Sequence, residues 1–399
     1  MSEPSPVLVH WEYEGSPVSA CWRSESGAQP PRRMQVVNDE LTADRAFRMA
    51  SEGTGLIWTG DFQNARQLLQ AVTRRLDRSA QARRTKARKR QEQPPEAVER
   101  FNQMRVARAQ RARTLGLLLV PLQADYNIEL RRAPDVAQAC EQAWGPAPLD
   151  EAGEPLLTLV SLRELLGVMG AFEWRLKGVE VALLGGPYNR IHPHYGVFSP
   201  VRGEYLELVA AAPLPSQTGQ PRRAFDIGTG TGVIAALLAR RGIETVIATE
   251  RDPRAVKCAQ ENFARLGVSE HVQLQQTELF PEGRADLIVC NPPWIPARPA
   301  MPIERAIYDE RSAMLSAFLE GLVEHLEPGG EAWLVMSDIA ERLGLRSRED
   351  LMNKIESAGL VAAGKADIRP QHPKTQDPED PLHEARVSEV TSLWRLLAR

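Results

Sequence analysis

Three groups of residues in this chain have types and spacing that could do chemistry. The first is Phe225-Asp226-Ile227-Gly228-Thr229-Gly230-Thr231-Gly232-Val233, an apolar run closed by an acid and a glycine-rich turn. Glycines at a strand-to-helix turn let a ligand lie against the backbone, where any Cβ would intrude. A dinucleotide loop would read G-x-G-x-x-G with its third glycine at position 233. That position is Val233 and the glycines run G-x-G-x-G, so phosphate cradling is not the reading. The second group is a pair of acids. Glu250 stands 18 residues beyond Gly232, at the end of the next apolar run, and its two oxygens can accept from both hydroxyls of a ribose. After a third run come Thr277-Glu278-Leu279-Phe280, where Glu278 could accept from an adenine amino group while Leu279 or Phe280 packs on the ring. Each residue alone has an ordinary alternative, a turn glycine or a solvated glutamate. Their order at three successive strand ends points to a nucleoside-bearing cofactor. The third group is Asn291-Pro292-Pro293-Trp294, at the end of a fourth run.

These segments resemble a known family. FDIGTGTGV, the strand end at 248–252 (ATERD) and NPPW are similar to motifs I, II and IV of class I S-adenosylmethionine (SAM)-dependent methyltransferases. The resemblance covers roughly residues 195–399, about half the chain. It implies a Rossmann-like seven-stranded sheet with its last strand antiparallel, and SAM as cofactor. It implies that Asp226, Gly228 and Gly230 line the methionine part of SAM and that Glu250 holds the ribose. Thr229, Gly232, Arg251, Glu278, Leu279 and Asn291 complete the expected cofactor-binding set. The family usually has Asp where Glu278 stands, which leaves the adenine contact less secure.

The acceptor chemistry follows from NPPW. An amide or aryl-amine nitrogen has a delocalised lone pair and is a poor nucleophile. Two acceptors aimed at its N–H bonds would orient it and favour charge build-up as the methyl transfers. The Asn291 side-chain oxygen can be one and the Pro292 carbonyl the other, presented because Pro293 holds the preceding residue extended. Trp294 offers a flat face for a planar acceptor. The alternative is a strand-ending proline turn with a core tryptophan. Asn291, Pro292 and Trp294 are the candidate catalytic residues, and Pro293 and Arg202 candidate substrate contacts. The motif is similar to that of adenine and guanine amino-methyltransferases and of release-factor glutamine methyltransferases, where NPPY is usual. The segment 198–205 (FSPVRGEY), which contains Arg202, partly matches a Pro-Arg-Pro-Glu-Thr-Glu element of the second group.

Elements must bring these residues together. From Ala224 onward strands and helices alternate, with strands expected at 224–228, 245–250, 272–276, 285–291, 331–337, 360–368 and 388–397. Helices are expected from about Thr231, Pro253, Arg311 and Ser347. This alternation marks a parallel sheet covered on both faces. The expected organisation is an N-terminal α+β recognition domain (1–187), a connector (188–222) and the methyltransferase domain (223–399). Residues 1–34, polar and proline-rich, are expected to be loosely ordered. A helix is expected from about Leu41 to Gly53, a strand over 55–61 and a helix over 62–77. The strand–helix stretch 55–70 weakly resembles the degenerate first domain of two-domain ribosomal RNA guanine methyltransferases. A second basic helix over 96–113 and a strand over 115–121 follow. The polar run 369–384 reads as a long loop.

The net charge of −3 hides an asymmetry. Residues 71–113 hold 14 Lys/Arg against Asp77, Glu92, Glu96 and Glu99, a net of +10 that leaves −13 on the rest. The densest part, near 78–95, has no apolar face and reads as an exposed insertion. Arg74, Arg75, Arg78, Arg83, Arg84, Lys86, Arg88, Lys89 and Arg90 could grip an RNA backbone; a solvated segment with no partner is the alternative. The acceptor is therefore read as an RNA base, ribosomal RNA first, with a protein glutamine as runner-up, then a small molecule. A non-catalytic RNA-binding module is the reading outside enzymes. Cys21, Cys140, Cys258 and Cys290 form no CxxC pair, so free thiols and a cytoplasmic setting are expected. His192-Pro193-His194 has no third ligand at usable spacing, and no metal is expected. No secretory signal is read at the start, and no apolar run could span a bilayer. The oligomeric state is not legible.

Overall fold

The computed structural model describes residues 7–90, 95–150, 152–200, 203–215, 222–299, 302–371, 377 and 380–399. Contacts divide the chain into two compact units, residues 1–96 with 102–173, and residues 97–101 with 174–399. Among the described residues no helix is long and apolar enough to cross a membrane.

The first unit contains β1 (Leu8–Tyr13), β2 (Ser16–Arg23), β3 (Arg33–Val37), α1 (Ala43–Ser51), β4 (Thr54–Trp58), α2 (Phe62–Arg90), α3 (Ala97–Leu115), β5 (Leu118–Leu122), α4 (Ala137–Trp144) and β6 (Thr158–Ser161). The unit boundaries fall inside α3 and inside the next helix, α5 (Leu162–Lys177). The strands form one mixed sheet in the order β1-β2-β6-β5-β4-β3 around Val9, Ala20, Ile57, Leu119 and Leu159.

Two expectations are corrected here. Residues 8–23 are a β-hairpin rather than a loose start. Its turn, Glu14-Gly15, has φ 51° and 76°, the mirror-image turn geometry that matches strand twist. Prolines in and before this pair of strands weaken its local strand signal. The basic stretch is likewise helical as far as Arg90, since α2 runs on without a break past Asp77. Ala, Arg, Lys and Gln are strong helix formers, and extending an existing helix avoids the cost of a new nucleus. Residues 91–94, the rest of the insertion bar Pro95, lie outside the described residues.

The second unit opens with the ribbon β7 (Val179–Glu180) and β8 (Arg190–Ile191), then α6 (Glu204–Ala211). It continues with β9 (Arg223–Ile227), α7 (Val233–Arg240), β10 (Thr245–Glu250), α8 (Pro253–Leu266), β11 (Val272–Gln276), β12 (Ala285–Cys290) and α9 (Ala313–His325). It ends with β13 (Leu326–Ser337), α10 (Ile339–Arg342), α11 (Arg348–Ser357), β14 (Leu360–Ile368), α12 (His383–Val387) and β15 (Thr391–Ala398). The sheet order is β11-β10-β9-β12-β13-β15-β14, with β15 antiparallel to both neighbours. This is the seven-stranded class I methyltransferase arrangement expected from the resemblance. The first unit's sheet has a different strand order, so it is not a second copy of that arrangement. α12 begins inside the run expected to be loop.

The register places the site. Ile227 pairs with Thr249 on one side and Cys290 on the other, and Glu250 pairs with Gln276. Gly228, Glu250, Thr277 and Asn291 therefore leave the sheet at one edge, where the strand order reverses between β9 and β12. Residues of α6, α7 and α8 fill one face and those of α9 and α11 the other.

The far half of the sheet is strapped by a buried acid. Glu331 on β13 accepts from the indole of fully buried Trp333 at 2.6 Å and from Arg395 Nη2 on β15 at 2.7 Å. Glu331→Ala strands both donors and should cost about 2–3 kcal/mol. A urea midpoint unchanged from wild type would show that the strap carries no net stability.

Candidate active site

The glycine turn stands on a buried carboxylate. Asp226 Oδ2 accepts from Thr229 Oγ1 at 2.6 Å and from the Ala235 amide at 2.9 Å. It thereby ties the strand end to the turn and to the first residues of α7. Asp226 is 1% exposed. Burial pushes its carboxyl up to about 7, opposed by the Thr229 and Ala235 hydrogen bonds and helped by the nearby Glu250. The structure thus places Asp226 beneath the turn rather than on its ligand face, and Thr229 is buried with it.

The glycines answer to different constraints. Gly232, at φ 84°, lies so close to the Phe263 ring on α8 that a Cβ would collide with it. Gly230, at φ 57°, has nothing within 4 Å of where its Cβ would be. A side chain there would meet open space rather than protein atoms. Gly228 is exposed, and a Cβ there would meet the Met314 side chain of α9.

Glu250 holds the neighbouring edge. Its Oε2 accepts from the Gly230 amide at 3.2 Å, and its Oε1 from the Arg251 and Asp252 amides at 2.8 and 3.0 Å. The half-buried carboxylate clamps two turns together and keeps lone pairs for further donors. Arg251 points to the surface, where it pairs with Glu278 at 3.1 Å. Leu279 is half-buried at φ 61°, next to that pair. Phe280 is committed elsewhere, since it stacks on Phe318 at 5.8 Å and on His325 at 4.3 Å, against α9. Of the two apolar residues considered for an adenine ring, Leu279 is the one left.

On the other side of β9, the NPPW turn leaves β12. Trp294 Nε1 donates to Asn291 Oδ1 at 2.9 Å. Trp294 is half-buried and packs against the cores on both faces of the sheet. It is part core tryptophan, part clamp on the asparagine. The next residues pair back, with Ile295 N–H donating to Ile307 and Asp309 N–H to Ile295. Asp309 then accepts from the Met314 and Leu315 amides at 3.0 and 3.1 Å, anchoring the start of α9. No sequence signal singled out Asp309 or Met314, because an acid in an irregular loop has no diagnostic spacing. Arg202 lies outside the described residues.

The connector is fastened to α8. Asn262, fully buried, accepts from the His192 amide at 2.8 Å and donates to the Thr231 carbonyl at 3.0 Å, which joins connector and glycine turn. The His194 amide donates to Cys258 Sγ, and its ring meets Glu261 at 3.1 Å. Burial lowers the His194 pKa, opposed by Glu261. His192 and His194 thus serve as structural fasteners. Among the described residues no three His, Cys, Asp or Glu side chains could hold a metal ion together.

Residues 189–362 match the family of the methyltransferase small domain. The release factor glutamine methyltransferase of Cereibacter sphaeroides is 35% identical over 152 residues, 34% of this chain and 52% of that protein. A ribosomal protein L11 methyltransferase of Pelotomaculum thermopropionicum is 35% identical over 139 residues, 34% of this chain and 37% of that protein. The chain thus spans about half the length of the first of these relatives, and less of the second. Among solved structures, a SAM-dependent methyltransferase from Thiobacillus denitrificans in complex with S-adenosyl-L-homocysteine has 13% identity and a TM-score of 0.34, covering 55% of this chain and all of that one. The C-terminal unit has the fold of a class I methyltransferase domain. More narrowly, its residues 189–362 are similar to the methyltransferase small domain family.

The glycine turn generates two predictions. Gly230→Ala should cost stability of only about 1 kcal/mol, from its left-handed backbone, yet weaken SAM binding at least tenfold by calorimetry. Gly232→Ala should lower the melting temperature more, through Phe263; equal effects of the two variants on both readouts would remove the assignment of Gly230 to the cofactor site. For Asp226 the folded-state pKa lies above the unfolded one. Its contribution to unliganded stability is full below about pH 4 and is lost as pH rises to about 7. The stability gain of Asp226→Asn over wild type should therefore grow between pH 4 and 7 and level off above. A gain independent of pH would mean that Asp226 ionises normally.

Proposed function

We propose that this protein transfers a methyl group from SAM to a planar amide or amino nitrogen, and that the acceptor is a side chain of another protein. The observation that carries the reading is the pairing of Asn291 with Trp294 at the end of β12, beside the glycine turn at the end of β9. The residues fit the cofactor: open space over Gly230, a carboxylate at Glu250 with lone pairs to spare, and Leu279 at the next strand end. Bound SAM would supply an electrophilic methyl on a sulfonium centre.

The chain's own residues do the rest. Glu250 and Asn291 flank the glycine turn on β10 and β12, so a ligand held at its ribose by Glu250 reaches across the turn towards Asn291. An sp² oxygen has two lone pairs. The Trp294 indole occupies one on Asn291 Oδ1 and fixes the amide's orientation; the other can accept an N–H of the acceptor. The Pro292 carbonyl is the candidate for the second N–H. Holding both N–H bonds raises electron density on a nitrogen whose lone pair is otherwise delocalised, and fixes its line of attack. The nitrogen–methyl bond forms as the sulfur–methyl bond breaks, and the nitrogen then loses a proton to solvent.

The protein acceptor is favoured over RNA for two reasons. The similar proteins are named for protein substrates, a release factor and ribosomal protein L11. The basic segment that suggested RNA is also less free than its composition implies. Arg75 pairs with Asp44 at 2.6 Å and Arg111 with Asp77 at 3.1 Å, although Arg74, Arg78, Arg83 and Lys86 remain exposed.

Radiolabelled SAM incubated with the protein and an extract lacking it should give label that survives RNase and falls to protease. Label lost to RNase would overturn the protein reading and restore the RNA one. Asn291→Ala should keep SAM affinity within about threefold and lose about 10²–10³ in turnover, the scale of one lost oriented hydrogen bond. Trp294→Phe, which keeps a ring but frees the asparagine, should lose about tenfold; full activity in both variants would sink the proposed chemistry.

A further inference from the structure

Beyond the NPPW turn lies a cavity of about 840 Å³, walled by the loop after Trp294, by α9 and by α11. Its charged lining is four cations (Arg298, Arg311, Arg346, Lys354) and three carboxylates (Glu310, Glu320, Asp350), a net of +1. Lys354 Nζ donates to Ser316 Oγ at 2.8 Å, bridging the two helices.

Arg346 sets the cavity apart. The residue is 8% exposed, and its Nε and Nη2 are closed to water with no hydrogen-bond partner among the described residues. A guanidinium so placed is costly, because the three N–H donors on those two nitrogens are taken from water and need acceptors. Three nearby carboxylates are already engaged. Asp309 takes two α9 amides, Glu341 pairs with Arg348 at 2.9 Å, and Asp350 accepts from the Ser347 amide. The Nε–Nη2 edge is the donor pair that a carboxylate grips with two parallel bonds. Part of the rim is held in unusual backbone. Arg311 and Ser312 lie at φ 59° and 55°, a left-handed pair of the kind found at ligand clamps.

We propose that this cavity is a carboxylate subsite, in which a monoanionic carboxylate of the protein substrate docks on the Nε–Nη2 edge of Arg346 as that edge turns into the cavity. The inference rests on the protein-acceptor reading. A net of +1 suits a single carboxylate better than a phosphate dianion or an RNA backbone. Pro296 and Ala297 of the wall directly follow Trp294 and Ile295, so the same loop carries the acceptor motif and the subsite.

The test uses the full chain with ¹⁵N-labelled arginine, acetate as probe, and chloride and inorganic phosphate at matched ionic strength. One Nε–H resonance, missing in Arg346→Lys, should shift saturably with acetate and not with chloride. Phosphate should bind more weakly. Lys354→Glu, which turns the cavity lining to −1, should abolish the acetate shift and serves if Arg346→Lys does not fold. In the extract assay Arg346→Lys should raise KM for the protein acceptor about tenfold, with a smaller change in kcat. Indistinguishable, non-saturating shifts with acetate and chloride would overturn the subsite, and tighter phosphate binding would overturn its monoanionic character. None of these spectra requires SAM or methyl transfer. Saturable acetate binding together with RNase-sensitive label would therefore overturn only the assignment of the carboxylate to a protein substrate.

Discussion

A single carboxylate sealed beneath a turn organises the C-terminal unit. Asp226 is out of reach of water, and burial of an acid is tolerable only where donors converge on it or where it takes up a proton. Thr229 and Ala235 supply the donors, one from the glycine turn and one from the helix behind it. The acid thus stabilises the one conformation in which the turn closes over it. Removing the donors would leave a buried carboxylate unpaired; removing the acid would leave a hydroxyl and an amide without this acceptor.

From that anchor the site spreads by short bonds across adjacent strand ends. Glu250 takes the amide of Gly230 and joins β10 to the turn of β9. Asn262 joins the turn to the connector at His192, just after β8. On the other side Asp309 fixes the first turn of α9 and brings Met314 over Gly228. The acceptor motif enters the same system through the Trp294–Asn291 bond. These contacts meet around the switch between β9 and β12, where ligands collect in open α/β sheets.

Much of this was legible in the residues themselves. The bounds of β10, β11 and β14 follow from apolar runs closed by polar turns, and coincide with the expected spans. Motif spacing located Gly228, Gly230, Glu250 and Asn291 at successive strand ends. Other elements were harder to read. The hairpin of β1 and β2 hid behind prolines, and its Glu-Gly turn is a weak signal next to Asn-Gly. The far part of α2 lacks an apolar face, so periodicity said nothing where intrinsic helix propensity decided. Phe280 looked available for a ring because nothing in its neighbourhood in sequence shows the space left by Gly321 on α9, where a Cβ would meet it.

By itself the sequence determined the class of the C-terminal unit, its alternating architecture and the residue types at the site, because these depend on local pattern and on glycine, proline and carboxylate chemistry at fixed spacing. Only the tertiary structure decided how those residues are used. It turned Asp226 inward and Glu278 outward, bound Asn291 to Trp294, and left Nε and Nη2 of Arg346 without an acceptor among the described residues. Those outcomes depend on which distant side chains and amides arrive within hydrogen-bonding distance, and on how much water is left, quantities set by packing across the sheet rather than by neighbours along the chain.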